Sequence, residues 1–184
     1  KEFLNTGANP NAEHESYGNM LQLAIEKGCK EEIVKSLLLA GADVNAVEGK
    51  YWTALQAACR TSKSEIVEEL LTRGVKSISS HCLSMVPISN LPGVWYGFAL
   101  QAWACSSSCD PDVMQYLLDK GANVNAVGGE FGTALQAAAC HHKAYVEMLL
   151  KHGADPKIEG GKYGSAIAAA KEKGFNRVVK LLQV

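Results

Sequence analysis

The chain has 184 residues, 47% of them hydrophobic and 20% charged, a balance that supports a packed core and excludes a disordered chain. Lys and Arg total 18 against 19 Asp and Glu, so no net positive field draws it to nucleic acid or to an anionic membrane surface. No apolar run reaches the roughly 20 residues of a membrane span and no basic-then-apolar leader opens the sequence, which together predict a cytoplasmic or nuclear protein.

In chain order, residues 1–6 read as the end of a helix. Phe3 and Leu4 precede Gly7 at the spacing with which Leu37, Leu70, Leu117 and Leu149 precede later glycines. The helix that should pair with it is absent, so the sequence predicts the C-terminal part of a longer protein, or a chain whose first segments serve as a minimal cap. Next comes Gly7-Ala-Asn-Pro-Asn-Ala, which recurs as Gly41-Ala-Asp-Val-Asn-Ala, Gly121-Ala-Asn-Val-Asn-Ala and Gly153-Ala-Asp-Pro-Lys-Ile. Glycine there suits a left-handed helix C-cap, and the Asn or Asp side chain closes the following turn.

The segment Gly18-Asn-Met-Leu-Gln-Leu-Ala recurs from Trp52, Gly97, Gly132 and Gly164, with starts 34, 45, 35 and 32 residues apart. A unit of about 33 residues therefore repeats five times with one long insertion. These segments predict short, Ala-rich first helices, such as 54–60, that neighbours approach closely on both sides. After each comes a narrow apolar stripe: Val34, Leu37 and Leu38; Val67, Leu70 and Leu71; Met114, Leu117 and Leu118; Val146, Leu149 and Leu150; Val178, Leu181 and Leu182. Positions three and four apart share one helical face, so these are second helices with a charged back.

The third unit departs from the pattern. Gly74 and Gly97 are 23 residues apart where the other units have 11, and the segment 75–93 loses the Gly-Ala-Asp turn while carrying Ile78, Leu83, Met85, Val86, Ile88 and Leu91. Two readings stand: a tolerated surface insertion, since loop closure costs only about 0.6 kcal/mol per doubling of length, and a functional loop. Trp103 holds the place of Ala24, Ala58, Ala138 and Ala170, between stacked helices, so the stack is expected to open locally or the loop to rearrange around a structural indole. At the C-terminus Lys171, Glu172, Lys173, Arg177 and Lys180 supply a polar cap.

This helix, turn, helix and Gly-Ala-Asp unit resembles the ankyrin repeat family, whose first-helix signature is Thr-Pro-Leu-His-x-Ala, over nearly the whole chain. Ala54 and Ala134 replace the family Pro, and Gln56, Gln101 and Gln136 replace its His, as in the Ala-Leu-Gln-Ala-Ala variant common in large fungal arrays. The resemblance implies an all-α solenoid in a single domain, with repeats 7–40, 41–73, 74–120, 121–152 and 153–184. It further implies a monomeric protein-interaction module of a scaffold, adaptor or receptor, which binds another protein through its concave face and needs no cofactor.

The family's variable positions fall on Val47, Gly49, Lys50, Trp52, Arg60 and Thr61, on Val127, Gly129, Glu130, Gly132, Cys140 and His141, and on Trp95. Partner-binding candidates are Lys50, Trp52, Arg60, Thr61, Trp95, Glu130 and His141, with Trp52, Trp95 and Arg60 as anchors because Trp and Arg most often dominate binding energy. Two roles are open to each indole: partner contact, or folding back onto its own repeat or the insertion. The aromatic residues before each tip, Tyr17, Tyr51, Tyr96, Phe131 and Tyr163, recur regularly and are expected to pack loop on loop. Gln22, Gln56, Gln101 and Gln136 take the backbone-bonding role of the family His.

The rival reading is an enzyme or small-molecule binder whose pocket combines the 75–93 loop with Trp103, using His81, Cys82, Cys105, Cys140 and His141. Spacing does not support it. Gly128-Gly129 and Gly160-Gly161 lack the Lys and Ser or Thr of a phosphate loop, and the six cysteines, read as reduced thiols, include no paired zinc-ligand spacing.

Overall fold

The computed structural model describes residues 8–47, 53–61, 63–73, 99–106, 110–141 and 143–183. Among them, ten helices form hairpins in chain order: α1 (Met20–Glu26) with α2 (Glu31–Leu39), α3 (Ala54–Thr61) with α4 (Ser64–Thr72), α5 (Ala99–Ala104) with α6 (Pro111–Asp119), α7 (Ala134–His141) with α8 (Lys143–Lys151), and α9 (Ala166–Glu172) with α10 (Asn176–Leu182). The first helices α1, α3, α5, α7 and α9 pack in succession, and α2, α4 and α6 line up beside them, as do α8 and α10. The fold is an all-α repeat solenoid, as the sequence predicts.

Alanine makes this row possible. Ala54, Ala57, Ala58, Ala102, Ala137, Ala138, Ala169 and Ala170 are all buried, because a helix flanked by neighbours on both sides has room for nothing longer. The stripe residues of the second helices close the other side: Val34, Val67, Met114, Val146 and Val178 are buried, while Leu118, Leu150 and Leu181 are only partly covered.

Local chemistry sets the helix ends. Thr53 and Thr133 accept the amides of Gln56 and Gln136 at 3.2 Å, Ser165 accepts that of Ala168 at 3.1 Å, and Asn19 forms a reciprocal capping box with Gln22. At the second-helix ends Gly41, Gly121 and Gly153 adopt φ of 90°, 84° and 86°. That left-handed step lets the next residue, Ala42, Ala122 or Ala154, donate back to Leu37, Leu117 or Leu149. The Leu-Leu-x-x-Gly spacing is thus one device that both buries a leucine and bonds its carbonyl.

The Asn and Asp side chains close the turns as predicted: Asn9, Asp43, Asn123 and Asp155 accept the amides of Asn11, Asn45, Asn125 and Lys157 at 2.8 to 2.9 Å. The second Asn of the motif does something the sequence reading did not foresee. Asn125 donates to Gly153 O at 2.9 Å and accepts from Asp155 N at 2.8 Å, and Asn11 makes the same two bonds to Gly41 and Asp43. Each stitches one turn to the next. Asn125→Ala is expected to cost about 1 kcal/mol in urea unfolding, the net worth of such bonds at a partly exposed site, and a cost near zero would mean that water replaces them without loss.

A buried amide ladder reinforces the stitching. Gln22 donates to Ala46 O at 3.1 Å, Gln101 to Ala126 O at 3.3 Å and Gly132 O at 2.8 Å, and Gln136 to Ile158 O at 2.8 Å. These glutamines are architectural, each bonding the backbone of the following turn.

Of the two outcomes expected at Trp103, the stack does not part, since α5 packs against both α3 and α7; rearrangement of the 75–93 loop lies outside the described residues. Room is found beyond the helix end, because α5 stops at Ala104, two positions short of where α3 and α7 stop. The fully buried indole donates from Nε1 to Asp110 O at 2.7 Å and meets Tyr145 edge-on, centroids 4.8 Å apart.

Candidate functional site

Among the described residues, the tips before α1, α7 and α9 are small hairpins rather than plain loops. β1 (Glu13–His14) pairs with β2 (Gly18–Asn19), and Gly128 bridges Gly132 as Gly160 bridges Gly164. Glu130 lies in one of these hairpins, and Arg60, Thr61 and His141 lie in the last turns of first helices.

Of those candidates, Lys50, Trp52 and Trp95 lie outside the described residues, as do the 75–93 insertion with His81 and Cys82, residues 1–6, Tyr51 and Tyr96. Arg60 and Thr61 close α3 and are both half-buried. The Thr61 hydroxyl donates to its own helix, at Ala57 O (3.2 Å) and Ala58 O (3.1 Å). The surface it offers is therefore mainly its methyl group. His141 is exposed at the end of α7, and Glu130 is half-buried at the preceding tip.

The structure brings Glu130 and His141 into one cluster. Glu130 forms an ion pair with Lys162 of the next tip, whose backbone amide also bonds Glu130 O at 2.7 Å. The Lys162 ammonium stands 4.6 Å from the Phe131 centroid and 5.0 Å from that of Tyr163. Phe131 meets His141 edge-on at 5.3 Å and Tyr163 at 6.2 Å, so the tips here do pack ring on ring. Partial burial lowers the Lys162 pKa, but the bond and charge of Glu130, with Tyr163, outweigh it and hold the ammonium above its ordinary value.

The sequence signal for this cluster was present but unread. Lys27, His141 and Lys173 each follow a tip aromatic by ten residues, which places them over Tyr17, Phe131 and Tyr163. Lys27 also donates to the Tyr17 hydroxyl at 3.0 Å. Ring and first-helix terminus thus meet within one repeat, a relation that a comparison of equivalent positions alone does not reveal.

The tips also expose apolar side chains. Val47 and Val127, at equivalent tip positions, are 58% and 50% exposed. Elsewhere, an apolar groove of about 670 Å³ lies at the α1/α2 end, lined among others by Met20, Leu23, Cys29 and Ile33. Ile33 is 46% exposed there, whereas its equivalent Ile66, with a repeat packed in front of it, is 2% exposed.

Thiol chemistry is weak on this face. Cys140 is buried and its pKa is pushed up to about 11 by that burial, which outweighs the nearby Lys162 and Lys173. Burial likewise drives the Cys59 thiol far above its ordinary range. Iodoacetamide at pH 7.5 is accordingly expected to modify Cys140 at least about tenfold more slowly than an ordinary exposed cysteine, judged by mass spectrometry, because the thiolate is the reacting form. An equal rate would refute the burial. Among the described residues no group of three His, Cys, Asp or Glu is placed to hold a metal ion, and no helix is long and apolar enough to cross a membrane.

No curated protein matches the chain. A family profile described as ankyrin repeats (3 copies) matches residues 1–81, 21–128 and 89–160, which overlap along most of the sequence. The helix hairpins, left-handed glycine caps and tip hairpins agree with that match, and the chain belongs to the ankyrin repeat family.

Proposed function

We propose that the chain recognises a partner protein through its concave face, as a module of a scaffold, adaptor or receptor. Five repeats would build that face, 7–40, 41–73, 74–120, 121–152 and 153–184, with Trp52, Arg60 and Trp95 as anchors and Lys50, Thr61, Glu130 and His141 around them. Ankyrin repeats are in general protein-interaction modules rather than enzymes. The observation that carries the reading is the contrast within the first helices. From Ala54 to Cys59 and from Ala134 to Cys140 every side chain is buried in the stack, whereas Arg60, Thr61 and His141 at the helix ends reach the surface, as do the tip residues Val47 and Val127. A stack that uses its alanines internally leaves helix ends and tips as the surface that can vary without cost to the fold.

The test is affinity capture from lysate with the wild-type chain beside a Trp52→Ala, Arg60→Ala, Trp95→Ala triple variant of unchanged thermal stability. Truncating a hot-spot residue costs about 2 kcal/mol or more, so the triple variant is expected to lose the partner entirely. A partner retained equally by both chains rules these anchors out.

A further inference from the structure

The apolar groove at the α1/α2 end marks a face that later repeats keep covered. Ile33 is 46% exposed on it, whereas Ile66 and Val113, its equivalents in α4 and α6, are 2% and 0% exposed. The cover in those repeats includes the second helix of the repeat before, since α2 packs against α4 and α4 against α6. Each covering helix ends in the same apolar pair, Leu37 and Leu38 before Gly41 and Leu70 and Leu71 before Gly74, and all four leucines are buried. Phe3 and Leu4 stand at that distance before Gly7. Residues 1–7 lie outside the described residues, and the described chain begins at the groove itself, with Ala8 and Asn9 in its lining. The turn that follows fixes the register. Asn9 accepts the Asn11 amide at 2.9 Å, and Asn11 donates to Gly41 O at 3.2 Å and accepts from Asp43 N at 2.7 Å. Asn125 makes the same two bonds from the turn after α6. The turn at 8–12 is therefore seated as a turn that leaves a second helix.

We propose that residues 1–6 of the same chain occupy this groove, with Phe3 and Leu4 closing it over Ile33 and Cys29 as the last turn of a second helix closes the face of a later repeat. At position 3 a ring replaces the leucine of Leu37 and Leu70, a larger apolar body for a groove of about 670 Å³. A second copy of the chain, or an apolar helix of a partner protein, fits the groove by chemistry alone. Neither is tethered at its rim, whereas residues 1–6 are joined to Ala8 and held there at high effective concentration. The inference stands apart from the interaction reading above and leaves the tips and first-helix ends free for a partner.

Two measurements on the full chain test this. In the isotope-labelled protein, nuclear Overhauser contacts are expected from the Phe3 ring protons to the Ile33 methyl groups. Cys29, which lines the groove, supplies the second readout. Its alkylation by iodoacetamide is expected to rise at least about threefold in a Phe3→Ser, Leu4→Ser double variant, since access limits the reaction of a partly covered thiol, while Cys59 and Cys140 keep their wild-type rates. The first measurement needs no variant, so it decides the matter even if the double variant fails to fold. The proposal is overturned if the wild-type chain shows no contact between Phe3 and Ile33, or if Cys29 reacts at the same rate in both proteins. It is also overturned if the contact arises only between labelled and unlabelled chains in a mixed sample, which assigns the groove to a second copy. An equal rise at Cys59 overturns it too, because residues 3 and 4 then support the whole fold rather than this groove.

Discussion

Trp103→Ala is expected to lower the free energy of unfolding by about 4 kcal/mol, the cost of emptying a fully buried aromatic site. The indole is completely enclosed, its Nε1 bonded to Asp110 O at 2.7 Å and its ring edge-on to Tyr145 at 4.8 Å. Truncation therefore removes packing between α5 and α8 and also the indole bond to the carbonyl that precedes α6. Trp103→Phe separates the two contributions. It keeps much of the ring volume and loses the bond, for an expected cost of about 2 kcal/mol. Urea unfolding followed by circular dichroism measures both. A loss below about 1 kcal/mol for the alanine variant would mean that the neighbouring repeats close over the gap, and that the indole adds little to their contact.

The same residue shows how far the sequence could be read. Its structural role was legible, because a Trp aligned with four alanines at a helix-helix contact has to displace something. Where it displaces the structure was not legible, since the bond to Asp110 depends on α5 ending early, and nothing in the local sequence around Ala104 marks that end. The repeat itself was readable from local rules alone. Glycine caps, leucine stripes and alanine faces each reflect one helix and its turn, and all appear at the predicted places among the described residues.

The candidate face was legible only by position. Equivalent positions located Glu130 and His141 correctly at a tip and a helix end, but said nothing of what those side chains touch. Their actual partners, Lys162 and Phe131, come from the next tip and from their own hairpin, and are fixed by how closely two tips approach. Asn125 went unread for the same reason. Its role lies in the next repeat, 28 to 30 residues away, where no local rule reaches.

That tip-to-tip approach makes Gly132 the second position of large expected effect. Its φ of +81° lies in the left-handed region, which costs an L-residue with a side chain roughly 1 to 2 kcal/mol. A Cβ there would come within 2.8 Å of the Gly160 carbonyl carbon, 2.9 Å of the Gly161 amide nitrogen and 2.2 Å of Gln136 Oε1. Backbone atoms of a neighbouring hairpin cannot swing aside as a surface side chain can. Gln136 is equally constrained, being buried and bonded to Ile158 O. Gly132→Ala is therefore expected to cost about 3 kcal/mol, the sum of backbone strain and overpacking. Gly164 is the internal control: its φ is +75°, but a Cβ there meets nothing within 4 Å, so Gly164→Ala is expected to cost only about 1 kcal/mol. Chemical denaturation of the two variants side by side measures the difference. Equal losses would show that the tips separate easily, and would remove the rigid platform on which Phe131, Lys162 and Tyr163 are held together. Position 52, where Trp stands in place of the glycines at 18, 132 and 164, bears on the same point. Those three glycines all take positive φ, between 75° and 81°. Trp52→Gly is accordingly expected to leave stability unchanged or raise it, while reducing partner capture.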